Sequence, residues 1–184
     1  VNDSNINRQL PALHSTLGMQ KAEVVGQRLL DINPRLKLTI LNEFLRDERT
    51  EEVLSAQKYD FIVDAIDSLS PKAYLLYHAY RREIPIVSSM GAGAKIDPSQ
   101  VKIADISKTC NCALAKAVRK RLRGMGLNKG IPVVFSTEIA NPEAVVEVDD
   151  PYNAAAHIQN TVTPADFVSA SGKDYTQLDA IAEF

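Results

Sequence analysis

Two carboxylates stand three residues apart in Tyr59-Asp60-Phe61-Ile62-Val63-Asp64-Ala65-Ile66-Asp67-Ser68. The apolar run Phe61-Ile62-Val63 reads as a buried strand, and Ser70-Pro71-Lys72 as the start of a helix. In open α/β sheets, ligands gather beyond the carboxyl ends of the strands. Asp67 therefore falls where a metal–nucleotide ligand is expected. Asp and Ser are equally ordinary helix caps. On the local pattern the two roles are evenly matched.

Other stretches carry suitable chemistry. Residues 1–9 are a polar loop in which amide side chains surround one guanidinium, Arg8. Amides read base or ribose edges and Arg clamps phosphate through its fork of donors; a solvated loop has the same composition. Lys21 falls in the first turn of a helix expected over Gly18–Ile32 and stopped by Pro34. The helix dipole disfavours a cation there, so Lys21 fits best beside an anion, although a solvated Lys is the commoner case. Ser89-Met90-Gly91-Ala92-Gly93-Ala94 follows a strand and allows either close ligand approach or tight packing. Lys116, Arg119, Lys120, Arg121 and Arg123 crowd one helix, with Lys129 in the turn after it. That density is a footprint for a phosphate backbone, and a solvated helix face fits it as well. Cys110 and Cys112 make a single Cys-x-Cys, too few for a four-ligand zinc site. His14, His78 and His157 have no ligand spacing.

The elements that must position these residues alternate. Strands are expected at Leu36–Leu41, Phe61–Asp64, Ile84–Ser88, Val101–Ile106 and Pro132–Ser136. Helices are expected at Gly18–Ile32, Asp47–Leu54, Ser70–Arg82 and Asn111–Arg123. The third helix should turn Ala73, Leu76, Tyr77 and Tyr80 inward, and the fourth Leu114, Val118 and Leu122. Strands alternating with helices give an α/β protein with a mainly parallel sheet.

At 184 residues the chain suits one domain. No apolar run approaches a membrane span, no secretory signal opens the chain, and a cytoplasmic protein is the default. Residues 1–140 hold 20 Lys/Arg against 15 Asp/Glu, a balance of +5, and residues 141–184 hold one Lys against eight acids, −7. A basic body suggests an anionic partner. The chain opens abruptly on Val1, which points to a fragment.

Ser4-Asn5-Ile6-Asn7-Arg8-Gln9 resembles the S-N-x-x-R-Q signature of the ubiquitin-activating-type adenylating superfamily, the MoeB and ThiF group. Lys21 in Gly18-Met19-Gln20-Lys21-Ala22-Glu23 follows at the expected distance, and Asp64-Ala65-Ile66-Asp67 matches the family's D-x-x-D. A narrower resemblance, over roughly residues 1–148, is to the tRNA threonylcarbamoyladenosine dehydratases. It rests on Ile84–Gly93, Ile96-Asp97-Pro98, Asp105–Thr109, the basic helix and Val133-Val134-Phe135-Ser136-Thr137-Glu138.

The resemblance implies a Rossmann-like sheet with helices on both faces, its first βαβ unit absent here. Residues 1–148 would be a partial adenylating domain and 149–184 an acidic C-terminal segment, either a divergent end of the family's chain or an unrelated sequence. It implies ATP-dependent adenylation of the carboxylate of threonylcarbamoyladenosine in tRNA, then ring closure with net loss of water. Arg8, Lys21 and Asp67 would be catalytic, the first two on phosphates and Asp67 on Mg²⁺. Asn5, Gln9 and Ser68 would join them in holding ATP. Arg119, Lys120, Arg121, Arg123 and Lys129 would meet tRNA. The expected partners are tRNA and a second copy of the chain, with a sulfur-transfer protein as a further candidate; DNA and membrane are not expected. Activation of a ubiquitin-like sulfur carrier and a non-catalytic RNA-binding remnant are the alternatives. The superfamily's Gly-rich phosphate loop is absent, so weak or no ATP binding is expected of this chain, together with poor solubility or pairing through an open sheet edge.

Overall fold

A computed structural model describes residues 1–45 and 47–141. Two compact units divide them, Val1–Phe44 and the chain from Leu45 onward. The expected boundary at 148/149 and the acidic segment 149–184 lie outside the described residues.

In the first unit, α1 spans Lys21–Ile32. Gly18, with φ of +78°, turns the chain into it. Gly26 is buried because an added Cβ would stand 2.5 Å from Ile40 Cδ1, so segment 36–41 runs hard against the helix. That segment alternates apolar and polar residues but is not a strand. A strand needs a ladder partner, and among the described residues the segment has none. The expected strand at Leu36–Leu41 is thus corrected to an irregular segment. The apolar face of α1 is also less enclosed than its spacing implies, with Ile32 71% exposed.

The second unit is built on a four-stranded sheet, β1 (Ile62–Asp64), β2 (Ile86–Ser89), β3 (Val101–Asp105) and β4 (Pro132–Ser136). The spatial order is β1-β2-β4-β3. β1, β2 and β4 run parallel, and β3 lies antiparallel to β4 with Ile103 opposite Val134. The expected mainly parallel α/β sheet is therefore observed. Its helices among the described residues are α2 (Asp47–Ala56), α3 (Leu69–Arg81) and α4 (Ala113–Gly124).

Alternation along β1 sets what the unit buries. Ile62 and Asp64 point to the side on which α3 packs, whereas Val63 is 75% and Phe61 56% exposed. Phe61-Ile62-Val63 is thus a half-buried strand, not the fully buried one its apolar run suggests. On α3, Ala73, Leu76 and Ala79 are fully buried against Ile86, Val133 and Phe135, but Tyr80 is 46% exposed. Its ring lies where a Cβ on Gly130 would stand, 2.7 Å from Cε2. Lys72 takes the inner position instead. α4 buries Ala115, Val118 and Leu122 at 3-and-4 spacing.

Short polar contacts tie the helices and turns. His78 Nε2 meets Asp47 Oδ1 at 2.5 Å, and Arg82 donates to Ser55 Oγ at 2.7 Å, joining α3 to α2. Asp105 accepts from Ser107 N at 2.9 Å and from Gly130 N at 2.6 Å. Its partial burial would by itself raise the carboxyl, but the hydrogen bonds from Ser107 and Gly130, with the charge of Lys108, hold it below the usual carboxylate range. Among the described residues, no helix is long and apolar enough to cross a membrane.

Candidate functional site

The carboxyl ends of β1, β2 and β4 face one way because those strands are parallel. Beyond β1 a four-residue connector, Ala65-Ile66-Asp67-Ser68, leads into α3. Asp64 ends the strand and is buried at 1% exposure. Its Oδ2 accepts from Lys72 Nζ at 2.6 Å and from Ser88 Oγ, while its Oδ1 accepts from Ile66 N at 3.0 Å. Ser88 lies opposite Asp64 in the β1–β2 ladder, which is why it can reach.

Asp67 is the opposite case. It is exposed, and among the described residues no hydrogen bond or ion pair engages its carboxylate. Ser68 occupies the cap position of α3, and no side chain caps that helix. The local pattern allowed Asp67 two roles, and the cap is not one it plays. A free carboxylate at a strand end is a fitting donor for a hard cation, which takes oxygen ligands and keeps several waters.

After β2, small residues turn the chain. A Cβ at Gly93 would meet nothing within 4 Å, and one at Gly91 only ordinary contacts, the nearest Leu114 Cβ at 3.5 Å. Tight packing therefore does not demand these glycines, and open backbone beside the strand ends suits ligand approach. The loop is pinned further on. Lys95 Nζ donates to Asn111 O at 2.7 Å and Ser136 O at 2.9 Å, and the Glu138 carboxylate accepts from Ile96 N at 3.1 Å and Asp97 N at 2.9 Å. Cys112 caps α4, its Sγ accepting from Ala115 N at 3.4 Å and lying 3.5 Å from Gly91 O.

In the first unit, Asn5, Arg8 and Gln9 share one turn. Arg8 N and Gln9 N both donate to Asn5 O, at 3.2 and 2.9 Å. Arg8 is exposed, with Nη1 on Ser4 O at 2.7 Å and Asn7 Oδ1 at 3.0 Å, so its fork is braced with donors to spare. Lys21 is the first residue of α1 and is exposed. It borders a groove of about 540 Å³ lined by Val25, Gly26, Leu29, Leu38 and Ile40.

The basic helix divides its charges. Arg119 is half-buried and spends Nη1 on Thr109, donating to its O at 2.8 Å and to its Oγ1. Arg121 lies over the Tyr74 ring at 5.6 Å. Lys120, Arg123 and Lys129 are exposed.

The ThiF family profile matches residues 1–170. The chain belongs to the ThiF family. Among similar proteins, the Bacillus subtilis tRNA threonylcarbamoyladenosine dehydratase is 42% identical over 138 residues, which are 75% of this chain and 54% of that protein. The chain thus spans about half the length of the curated relatives it matches. Two crystal structures of the E. coli tRNA N6-threonylcarbamoyladenosine dehydratase are also similar. The AMP complex has a TM-score of 0.75 at 36% identity, covering 81% of this chain and 62% of that one. The ATP complex has a TM-score of 0.72 at 37% identity, covering 77% and 61%. The fold of this ThiF-family chain is accordingly Rossmann-like.

The resemblance gave the metal role to Asp67 but said nothing of what holds Asp64 inside the protein. Sequence reasoning missed Lys72 and Ser88 altogether. The signal for Lys72 was present: it precedes Leu76 by four residues and Ala79 by seven, the spacing of an inner helical face. For this ThiF-family chain that makes Lys72 a buried cation behind the strand-end motif.

Proposed function

We propose that this chain is the partial adenylating domain of a tRNA threonylcarbamoyladenosine dehydratase. The carboxylate of the modification attacks the α-phosphorus of ATP and pyrophosphate leaves. The acyl adenylate is then attacked from within the same modification, the ring closes, and AMP departs with net loss of water. No enzyme nucleophile is needed, because the reacting groups are already at high effective concentration. The observation that carries this reading is the exposed, unpartnered carboxylate of Asp67 at the end of β1, in a chain resembling dehydratases solved with AMP and ATP.

The residues take roles accordingly. Arg8 and Lys21 hold phosphates, and their charges meet what builds up on phosphate oxygens. Asn5, Gln9 and Ser68 help to fix the nucleotide. Asp67 holds Mg²⁺, which when bound neutralises charge on the phosphates. Lys120, Arg121, Arg123 and Lys129 offer tRNA a basic face, with Arg119 adding charge from its tether on Thr109. A cytoplasmic homodimer completes the reading, and a sulfur-transfer protein is a further partner to test.

Exchange of labelled pyrophosphate into ATP tests the reaction. In a protein that carries this sequence together with the Gly-rich phosphate loop, exchange is expected with tRNA bearing threonylcarbamoyladenosine; exchange only with a ubiquitin-like carrier protein would overturn the reading. The basic face has its own check. Removing Lys120, Arg123 and Lys129 together should weaken tRNA binding regardless of sequence and lower the salt slope by about one for each residue lost, as read by filter binding across a salt series. An unchanged slope would remove these residues from the interface.

A further inference from the structure

Lys72 has no role in the chemistry just described, yet it is wholly buried. A buried lysine is costly unless paired. Its ammonium donates to Asp64 Oδ2 at 2.6 Å, and its backbone N donates to Ser68 O at 3.3 Å. The backbone bond is the ordinary first turn of α3; it is the lysine side chain that ties the start of that helix to the end of β1, across the four-residue connector. Asp64 holds the inside, accepting from Ile66 N at 3.0 Å. Ser88 adds a third hand from β2 by donating to Asp64 Oδ2. No buried side-chain nitrogen or oxygen among the described residues is left without a partner, so the network is closed.

An apolar pair of similar volume would fill this core at least as well, because buried ion pairs rarely add net stability. In some proteins such a pair fixes one geometry of the chain around it. The lysine also neutralises the first acid of the motif. Of two carboxylates three residues apart, one is spent inside the protein, and only the other faces outward.

We propose that Lys72 is a positioning residue of the site: through Asp64 it fixes the 65–68 connector, so that Asp67 alone is presented to a cation-bound phosphate. This rests on the nucleotide reading of Asp67. Lys72 and Ser88 act on the ligand only through Asp64, as outer partners do when they orient a metal-binding carboxylate.

The test compares the parent chain with Asp64→Asn/Lys72→Met and with Ser88→Ala. Three readings are taken: melting temperature, amide hydrogen exchange across 65–68, and ATP binding with Mg²⁺ and with EDTA. The double variant removes both buried charges together and is expected to melt cooperatively. Its connector amides should exchange about tenfold faster or more, as in locally loosened segments. Its ATP affinity should fall about ten- to a hundredfold with Mg²⁺ and stay level in EDTA. Ser88→Ala keeps the charges paired and should show the same pattern in smaller measure; it decides the matter if the double variant does not fold. Parental connector exchange in the folded variants overturns the proposal. So does an equal loss of ATP affinity with and without Mg²⁺. If the parent chain binds no ATP, as expected without the Gly-rich phosphate loop, the exchange rates alone decide whether the clamp exists.

Discussion

Asp67→Asn is expected to cut pyrophosphate exchange in the loop-bearing protein by about a hundredfold or more while leaving the melting temperature almost unchanged. The substitution is discriminating because Asn caps helices as well as Asp does. If Asp67 served only the start of α3, Asn would serve equally and exchange would be unaffected. A carboxamide, however, is a poor substitute for a carboxylate on a hard cation. Stability should hold because the Asp67 side chain is exposed and makes no hydrogen bond or ion pair among the described residues, and surface changes of that kind stay within about 0.5 kcal/mol. Exchange rates over a Mg²⁺ titration, beside a thermal melt, check both halves. Parental exchange at every Mg²⁺ concentration would return Asp67 to a structural role.

The largest effect on stability belongs to Lys72→Met made alone. It leaves the Asp64 carboxylate buried at 1% exposure with its cation gone, and breaking one side of a buried pair costs about 3–5 kcal/mol. Domains of this size have about 5–15 kcal/mol to lose, so the single variant should be marginal or unfolded at 37 °C. Adding Asp64→Asn should recover most of the loss, since an amide can be buried with its hydrogen bonds at far lower cost. Urea unfolding of the two variants gives the comparison. A single variant as stable as the parent would mean that the Asp64–Lys72 pair does not hold this part of the core.

Much of the second unit was legible in the sequence. Among the described residues, sequence patterns place all four strands and all three helices of this unit within a few residues of where they lie. What failed did so for identifiable reasons. Segment 36–41 has a strand's alternation, but a strand is a relation between chains and not a property of one. Phe61 and Val63 look buried because apolar runs are read as such, whereas strand alternation sends them to the face away from α3. The reversal of β3 is set by which neighbour it pairs with, and composition carries no trace of that. Lys72 was hidden by its type, since charged residues are assumed to face water. At the site, motif order named Arg8, Lys21 and Asp67, but only coordinates separate a carboxylate that is engaged from one that is free.

The direction of α4 sets a lower limit on the size of whatever uses both ends of this unit. The helix starts beside Gly91, past the end of β2, where Cys112 Sγ lies 3.5 Å from the Gly91 carbonyl. It ends at Gly124, and the chain then returns to the amino end of β4 at Pro132. Twelve residues of helix extend about 18 Å. Arg123 and Lys129 therefore lie at the far end of the sheet from Asp67. A free modified nucleoside is too short to touch both. A folded RNA is not, and under the proposed function the basic end acts as a gauge of length, favouring a nucleoside that arrives attached to a long anionic body.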